Sequence, residues 1–139
     1  MTNLKVLIVD DSLVTAKKLT LMLEDLGHRV VGNADSGARA VDAYRACAPD
    51  LVTMDVTMPD MDGIMATRRI IDEFPRANII MVTSHGQERM VIDALCAGAR
   101  GYVLKPLRRE KLAEMIDRAV GCSTATPGSG SGRGQAEPL

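Results

Sequence analysis

Five polar side chains in this chain stand where chemistry could be done. Asp10 and Asp11 directly follow Val6-Leu7-Ile8-Val9, and Asp55 directly follows Leu51-Val52-Thr53-Met54. Thr83 directly follows Ile79-Ile80-Met81-Val82, and Lys105 directly follows Tyr102-Val103-Leu104. Three carboxylates brought together repel: two unit charges about 4 Å apart interact by roughly 4 kcal/mol at an effective dielectric near 20. Such a cluster needs an offsetting charge, and ligation by oxygen alone suits Mg²⁺, which takes one or two carboxylates, keeps several waters and accepts a phosphate oxygen. Next to a bound cation, Asp55 is a plausible nucleophile toward phosphorus, giving an aspartyl phosphate. The Thr83 hydroxyl can donate to one phosphoryl oxygen, and the Lys105 ammonium can sit near another. Pro106 fixes the chain leaving Lys105, and the Lys105-Pro106 bond is a candidate for the cis form.

Each residue also has a plainer reading. Asp10-Asp11 before an apolar-periodic run could cap a helix. Asp55, ahead of Met58-Pro59-Asp60-Met61-Asp62-Gly63, could form a turn. Thr83 and Lys105 could be ordinary polar strand ends. What favours a site is that all of them follow short apolar runs, so one architecture would bring them to one edge.

That architecture is readable from the pattern. Apolar runs predict strands at residues 5–9, 29–33, 51–54, 78–82 and 101–104. The first, third and fourth are almost wholly apolar, as strands covered on both faces are, whereas residues 29–33 suit an edge. Helical periodicity fills the intervals at residues 12–26, 36–47, 63–74, 87–97 and 108–120, with Gly27, Pro49, Pro75, Gly98 and Gly121 as stops. Alternating strands and helices imply right-handed crossovers and a parallel sheet sandwiched by helices. Five units fit a flavodoxin-like (βα)5 three-layer α/β domain with strand order 2-1-3-4-5, in which ligands bind at the carboxyl ends of the strands.

The bulk numbers agree with one domain. The chain has 139 residues, 46% hydrophobic and 25% charged, which allows a substantial core. A net charge of −1 gives no signal for nucleic acid or an anionic membrane, and 2% aromatics argues against base stacking as the main activity. No apolar stretch is long enough for a membrane span or signal peptide, so a cytoplasmic protein is expected. Cys47, Cys96 and Cys122 show no metal-binding spacing and read as free thiols; His28 and His85 are too isolated to complete a metal site. A folded domain at residues 1–121 is expected to be followed by a flexible tail at 122–139, rich in Gly, Ser, Thr, Ala and Pro.

With these residues in place, the chain resembles a response-regulator receiver domain. Val9-Asp10-Asp11-Ser12, Met54-Asp55-Val56-Thr57-Met58-Pro59-Asp60-Met61-Asp62-Gly63, Val82-Thr83-Ser84 and Leu104-Lys105-Pro106 match that family's motifs in order and spacing, over residues 4 to 120. Within the family the chain is most similar to stand-alone chemotaxis regulators. The resemblance implies that Asp55 accepts phosphate from a phosphohistidine on a sensor kinase. It implies Mg²⁺ ligation by Asp11, Asp55 and the Thr57 carbonyl, with Asp10 acting through water. Thr83 and Lys105 would bind the phosphoryl group, and Tyr102 would rotate inward as Thr83 moves. Output would pass through residues 87–120 to a protein partner, the flagellar motor switch or another chemotaxis component, from a monomer with no nucleic-acid or membrane contact. Ser84 and Leu107 depart from the commoner alanine and phenylalanine, and Thr57 and His85 flank the expected phosphate. Arg108, Arg109 and Lys111 form a basic cluster that reads as a solvated face or a docking element.

Two other classes compete. An aspartyl-phosphate phosphatase or mutase would carry an Asp-x-Asp pair after the first strand, which Asp10-Asp11 does not provide. A phosphorylation-independent adaptor would bind its partner equally well without Asp55.

Overall fold

The computed structural model describes residues 3–56, 63–83 and 88–124. Its strands are β1 (Lys5–Val9), β2 (Arg29–Ala34), β3 (Leu51–Asp55), β4 (Ile79–Thr83) and β5 (Gly101–Leu104). Between and after them run α1 (Leu13–Asp25), α2 (Gly37–Cys47), α3 (Gly63–Glu73), α4 (Glu88–Ala97) and α5 (Arg109–Thr124). All pairings are parallel, in the order β2-β1-β3-β4-β5. This is the flavodoxin-like arrangement that the alternation implied.

Side chains alternate across the pleat, so each central strand feeds two cores. Leu7, Val9, Val52, Met54, Ile79 and Met81 pack on the side of α2, α3 and α4, with Ala40, Ala66, Ile70 and Ala94. Val6, Ile8, Leu51, Ile80 and Val103 pack on the other side, against Leu19 and Leu23 of α1 and Leu112 and Ile116 of α5. Leu7, Ile8, Leu51, Met54, Ile79 and Ile80 are fully buried, and each such side chain contributes about 1.5–3 kcal/mol of transfer free energy.

Boundaries differ from expectation in instructive places. β3 and β4 each run one residue further, taking Asp55 and Thr83 into the ladder itself, because Asp55 pairs with Val82 and Thr83 with Leu104. β2 is the edge strand anticipated, but it carries an irregularity: Val6 pairs with Val30 and Leu7 with Gly32, leaving Val31 as an extra residue. α5 passes through Gly121 to Thr124 rather than stopping before it. A glycine in a helix costs only about 1 kcal/mol, which the helix interior tolerates. Among the described residues, no helix is long and apolar enough to cross a membrane. The Lys105-Pro106 peptide is cis.

Candidate functional site

Strand register alone aligns the polar groups. Val9 is paired with Met54, so the next residues, Asp10 and Asp55, leave β1 and β3 side by side. Asp55 is paired with Val82, Thr83 is the last residue of β4, and Lys105 N–H donates to the Thr83 carbonyl at 2.8 Å. Asp10, Asp55, Thr83 and Lys105 therefore stand in order along the carboxyl edge of the sheet, where a parallel sheet opens its crevice.

The side chains converge. Asp10, Asp11 and Asp55 each offer a carboxylate oxygen, and these oxygens lie within 4.8 Å of one another. Among the described residues no other group of three acidic, His or Cys side chains is so placed. Lys105 Nζ stands 3.9 Å from Asp10 Oδ2 and 4.0 Å from Asp55 Oδ1, within reach of both charges but beyond a direct hydrogen bond. Asp55, Thr83 and Asp10 are buried, whereas Asp11 is exposed.

The plainer reading of the acidic pair fails on local geometry. The cap of α1 is Ser12, whose hydroxyl accepts from Thr15 N–H at 3.3 Å. Asp10 Oδ1 instead accepts from Ser12 N–H at 2.8 Å, which turns the chain out of β1. Its other oxygen, Oδ2, is buried without a hydrogen-bond partner. Neither aspartate caps the helix, so the cap explains neither carboxylate.

Known proteins resemble this chain over most of its length. Residues 6–117 match the family described as the response regulator receiver domain. The chemotaxis protein CheY of Bacillus subtilis is 42% identical over 116 residues, covering 84% of this chain and 97% of that protein. CheY of Thermotoga maritima is 40% identical over 114 residues, covering 82% and 95%. Among solved structures, the CheX-CheY-BeF3-Mg²⁺ complex from Borrelia burgdorferi superposes with a TM-score of 0.80 at 37% identity, covering 84% of this chain and 88% of that one. The chain belongs to the response-regulator receiver family.

For a receiver, the electrostatics of the pocket are consistent. Burial pushes the Asp10 carboxyl above the ordinary carboxylate range, and Asp11 adds to this, while the Ser12 amide, Lys105 and Asp55 pull the other way. A buried carboxylate oxygen with no donor, beside two further carboxylates, is a hard, oxygen-only, negatively charged pocket. That is the donor chemistry Mg²⁺ takes, so Asp10, Asp11 and Asp55 fit the ion this family binds.

The remaining expected residues divide into two sets. Tyr102 is 37% exposed on β5, on the outer surface beside Leu104. Thr57, Ser84 and His85 lie outside the described residues. One residue that the sequence marked only as a helix start belongs to the site's framework: Gly63 N–H donates to the Val56 carbonyl at 2.7 Å, tying the start of α3 to the residue after Asp55. Its sequence signal is the glycine directly after Asp62, at the return from an acidic connection to a helix.

Proposed function

We propose that this receiver takes a phosphoryl group onto Asp55 from a phosphohistidine of a sensor kinase and signals by contact with another protein in a chemotaxis pathway. The observation that carries this reading is the pocket itself, three acidic oxygens facing one ammonium at the end of a parallel sheet. A buried Asp55 oxygen attacks phosphorus in line. The O–P bond forms as the N–P bond breaks, and the electron pair leaves with the donor imidazole. Mg²⁺, held by Asp11, Asp55 and the Thr57 carbonyl with Asp10 acting through water, would supply the positive charge that offsets the carboxylates and the incoming phosphoryl oxygens. Lys105 places its ammonium near both Asp10 and Asp55, where it can meet a phosphoryl oxygen, and Thr83 donates its hydroxyl. The domain catalyses only this transfer and the later dephosphorylation, in which water attacks phosphorus, the Asp55 O–P bond breaks and inorganic phosphate leaves.

Output runs through the face made by α4, β5 and α5, residues 87–120. There Ile92, Leu95, Tyr102 and Leu104 expose apolar surface. A groove of about 550 Å³ beside them is lined by Tyr102, Leu104, Pro106, Arg108, Lys111 and Arg118, among others. Movement of Thr83 toward a phosphate would draw Tyr102 inward and reshape this face. The target on this reading is the flagellar motor switch or another chemotaxis protein, reached by a cytoplasmic monomer; the relatives named as chemotaxis proteins support the pathway.

The test is incubation with a small phosphodonor and Mg²⁺, followed by intact-mass measurement. Wild type is expected to gain one phosphoryl group and Asp55→Asn none. An adduct that persists in Asp55→Asn contradicts the assignment of the acceptor.

A further inference from the structure

Gly63 is buried at the first position of α3, directly against the peptide that carries the acceptor. A methyl group built on its Cα overlaps the carbonyl oxygen of Asp55 and comes within 2.9 Å of both the Asp55 carbonyl carbon and Val56 Cα. These are backbone atoms, which cannot rotate out of the way as a side chain does. The contrast with Gly98 and Gly32 is informative, because a methyl there meets only side-chain atoms, of Ile71 at Gly98 and of Cys47 and Leu7 at Gly32.

Neither partner in the Gly63 contact is free to yield. On the strand side, Val56 N–H is bonded to the Val82 carbonyl at 3.2 Å, and Asp55 is the last paired residue of β3. On the helix side, Ala66, Thr67 and Ile70 are buried in the core. Closely packed interiors answer an added methylene with shifts of backbone or side chains rather than by absorbing it. Whichever element moves, the Asp55 peptide is the surface pushed on. Its carboxylate sits within a few ångströms of Asp10, Asp11 and Lys105, so its position relative to them is what changes.

We propose that Gly63 is a positioning residue for phosphoryl transfer: its missing side chain lets α3 seat against the Asp55 carbonyl and so fixes the acceptor carboxylate among Asp10, Asp11 and Lys105. This rests on Asp55 being the acceptor. A displacement of about 1 Å at a reacting group can cost on the order of a hundredfold in rate, so a loss of about tenfold or more is expected from a methyl at this position.

The experiment compares wild type, Gly63→Ala and Gly98→Ala in the full chain. Each is incubated with acetyl phosphate, and the rate constant of adduct formation is read by intact mass at saturating donor and Mg²⁺. In this transfer the Asp55 oxygen gains phosphorus as the acyl-side P–O bond breaks and acetate leaves with the pair. Circular dichroism under the same conditions reports the folded fraction, and the rate constant is expressed per folded molecule. Gly98→Ala, strained by the positive φ of 116° at that residue, is expected to lose stability and keep the wild-type rate constant. Gly63→Ala is expected to fold, in the cold if necessary, and to lose about tenfold or more at saturating Mg²⁺. A folded Gly63→Ala with the wild-type rate constant overturns the proposal. So does a Gly63→Ala chain that fails to fold even in the cold, since the glycine would then serve the fold rather than the acceptor. Absence of any adduct on wild type would instead remove the phosphoacceptor reading on which the proposal stands, and the two failures are told apart by that control.

Discussion

Asp10 is a costly residue to keep where it is. One of its oxygens accepts from Ser12 N–H and the other is buried with no donor, and burial holds its carboxyl above the usual range. A carboxylate in that position destabilises the metal-free protein and is retained because the pocket needs a hard anionic oxygen. Asparagine keeps the acceptor for Ser12 and turns the unpartnered oxygen into an amide that can donate toward the carboxylate of Asp55. Asp10→Asn is therefore expected to raise metal-free stability in urea by about 1 kcal/mol, the low end of the cost of an unsatisfied buried acceptor, and to weaken Mg²⁺ binding by calorimetric titration. Unchanged stability with unchanged Mg²⁺ affinity would show that Asp10 is not under the strain described. The four anchor positions were legible in the sequence because each polar residue terminates an apolar run, and a parallel sheet brings such termini together. The cap was less legible: Asp10, Asp11 and Ser12 are all acceptable caps in sequence, and only the geometry gives that role to Ser12. Gly63 was legible as a helix boundary but not as a contact of Asp55, since close approach between distant backbones leaves no mark on local pattern.

At the scale of elements, the α1–β2 turn is fastened to β1 by a buried histidine. Leu4 N–H donates to His28 Nδ1 at 3.2 Å, and His28 N–H donates to the Leu23 carbonyl at 2.9 Å. The ring must be neutral at Nδ1 to accept, and burial holds its pKa below the ordinary 6.5, with Asp117 of α5 opposing. The sign follows from linkage. Above 6.5 neither state binds the proton; below it the unfolded chain is protonated first, so stability falls until the folded pKa is passed. Urea denaturation at about pH 7.5 and about pH 5.5 should show wild type losing stability at the lower value. His28→Gln, which can still accept from Leu4, should lose measurably less. An equal loss in both would place the pH dependence elsewhere. Strand and helix order was readable from alternating periodicities, and the edge character of β2 from its weaker apolar content. The extra residue at Val31 was not, because a bulge depends on how two strands pair. The end of α5 was misplaced at Gly121 because local propensity is weak against packing by Leu112, Ile116, Ala119 and Val120.

For the molecule as a whole, the sheet joins a charged pocket at one edge to an apolar and basic face on its flank. β4 and β5 connect them: Thr83 and Lys105 point to the pocket end of strands whose pairing runs through Met81 to Tyr102 and Thr83 to Leu104. On the proposed reading, a phosphoryl group on Asp55 would add charge and acceptor oxygens at the strand ends that carry Thr83 and Lys105, which is how a local modification can bias a two-state face. A switch from 1:99 to 99:1 requires about 5.5 kcal/mol of preference for one state, so several contacts to the phosphoryl group must act together. One hydroxyl, one ammonium and a shared cation are a sufficient set in kind. The fold class and this convergence were both legible, since composition, alternation and strand-end chemistry all pointed to one sheet edge. The groove beside α5 was not, because it depends on which side chains of β5 and α5 are left uncovered once both cores are filled.

The most direct measurement is chemical trapping of the acceptor. After treatment with acetyl phosphate and Mg²⁺, borohydride reduces an acyl phosphate to the alcohol, converting the phosphorylated aspartate to homoserine, which peptide mass mapping then locates. The pocket geometry predicts homoserine at position 55 alone, formed only when Mg²⁺ is present. Homoserine at position 10 or 11, or Mg²⁺-independent labelling spread over surface aspartates, would contradict it.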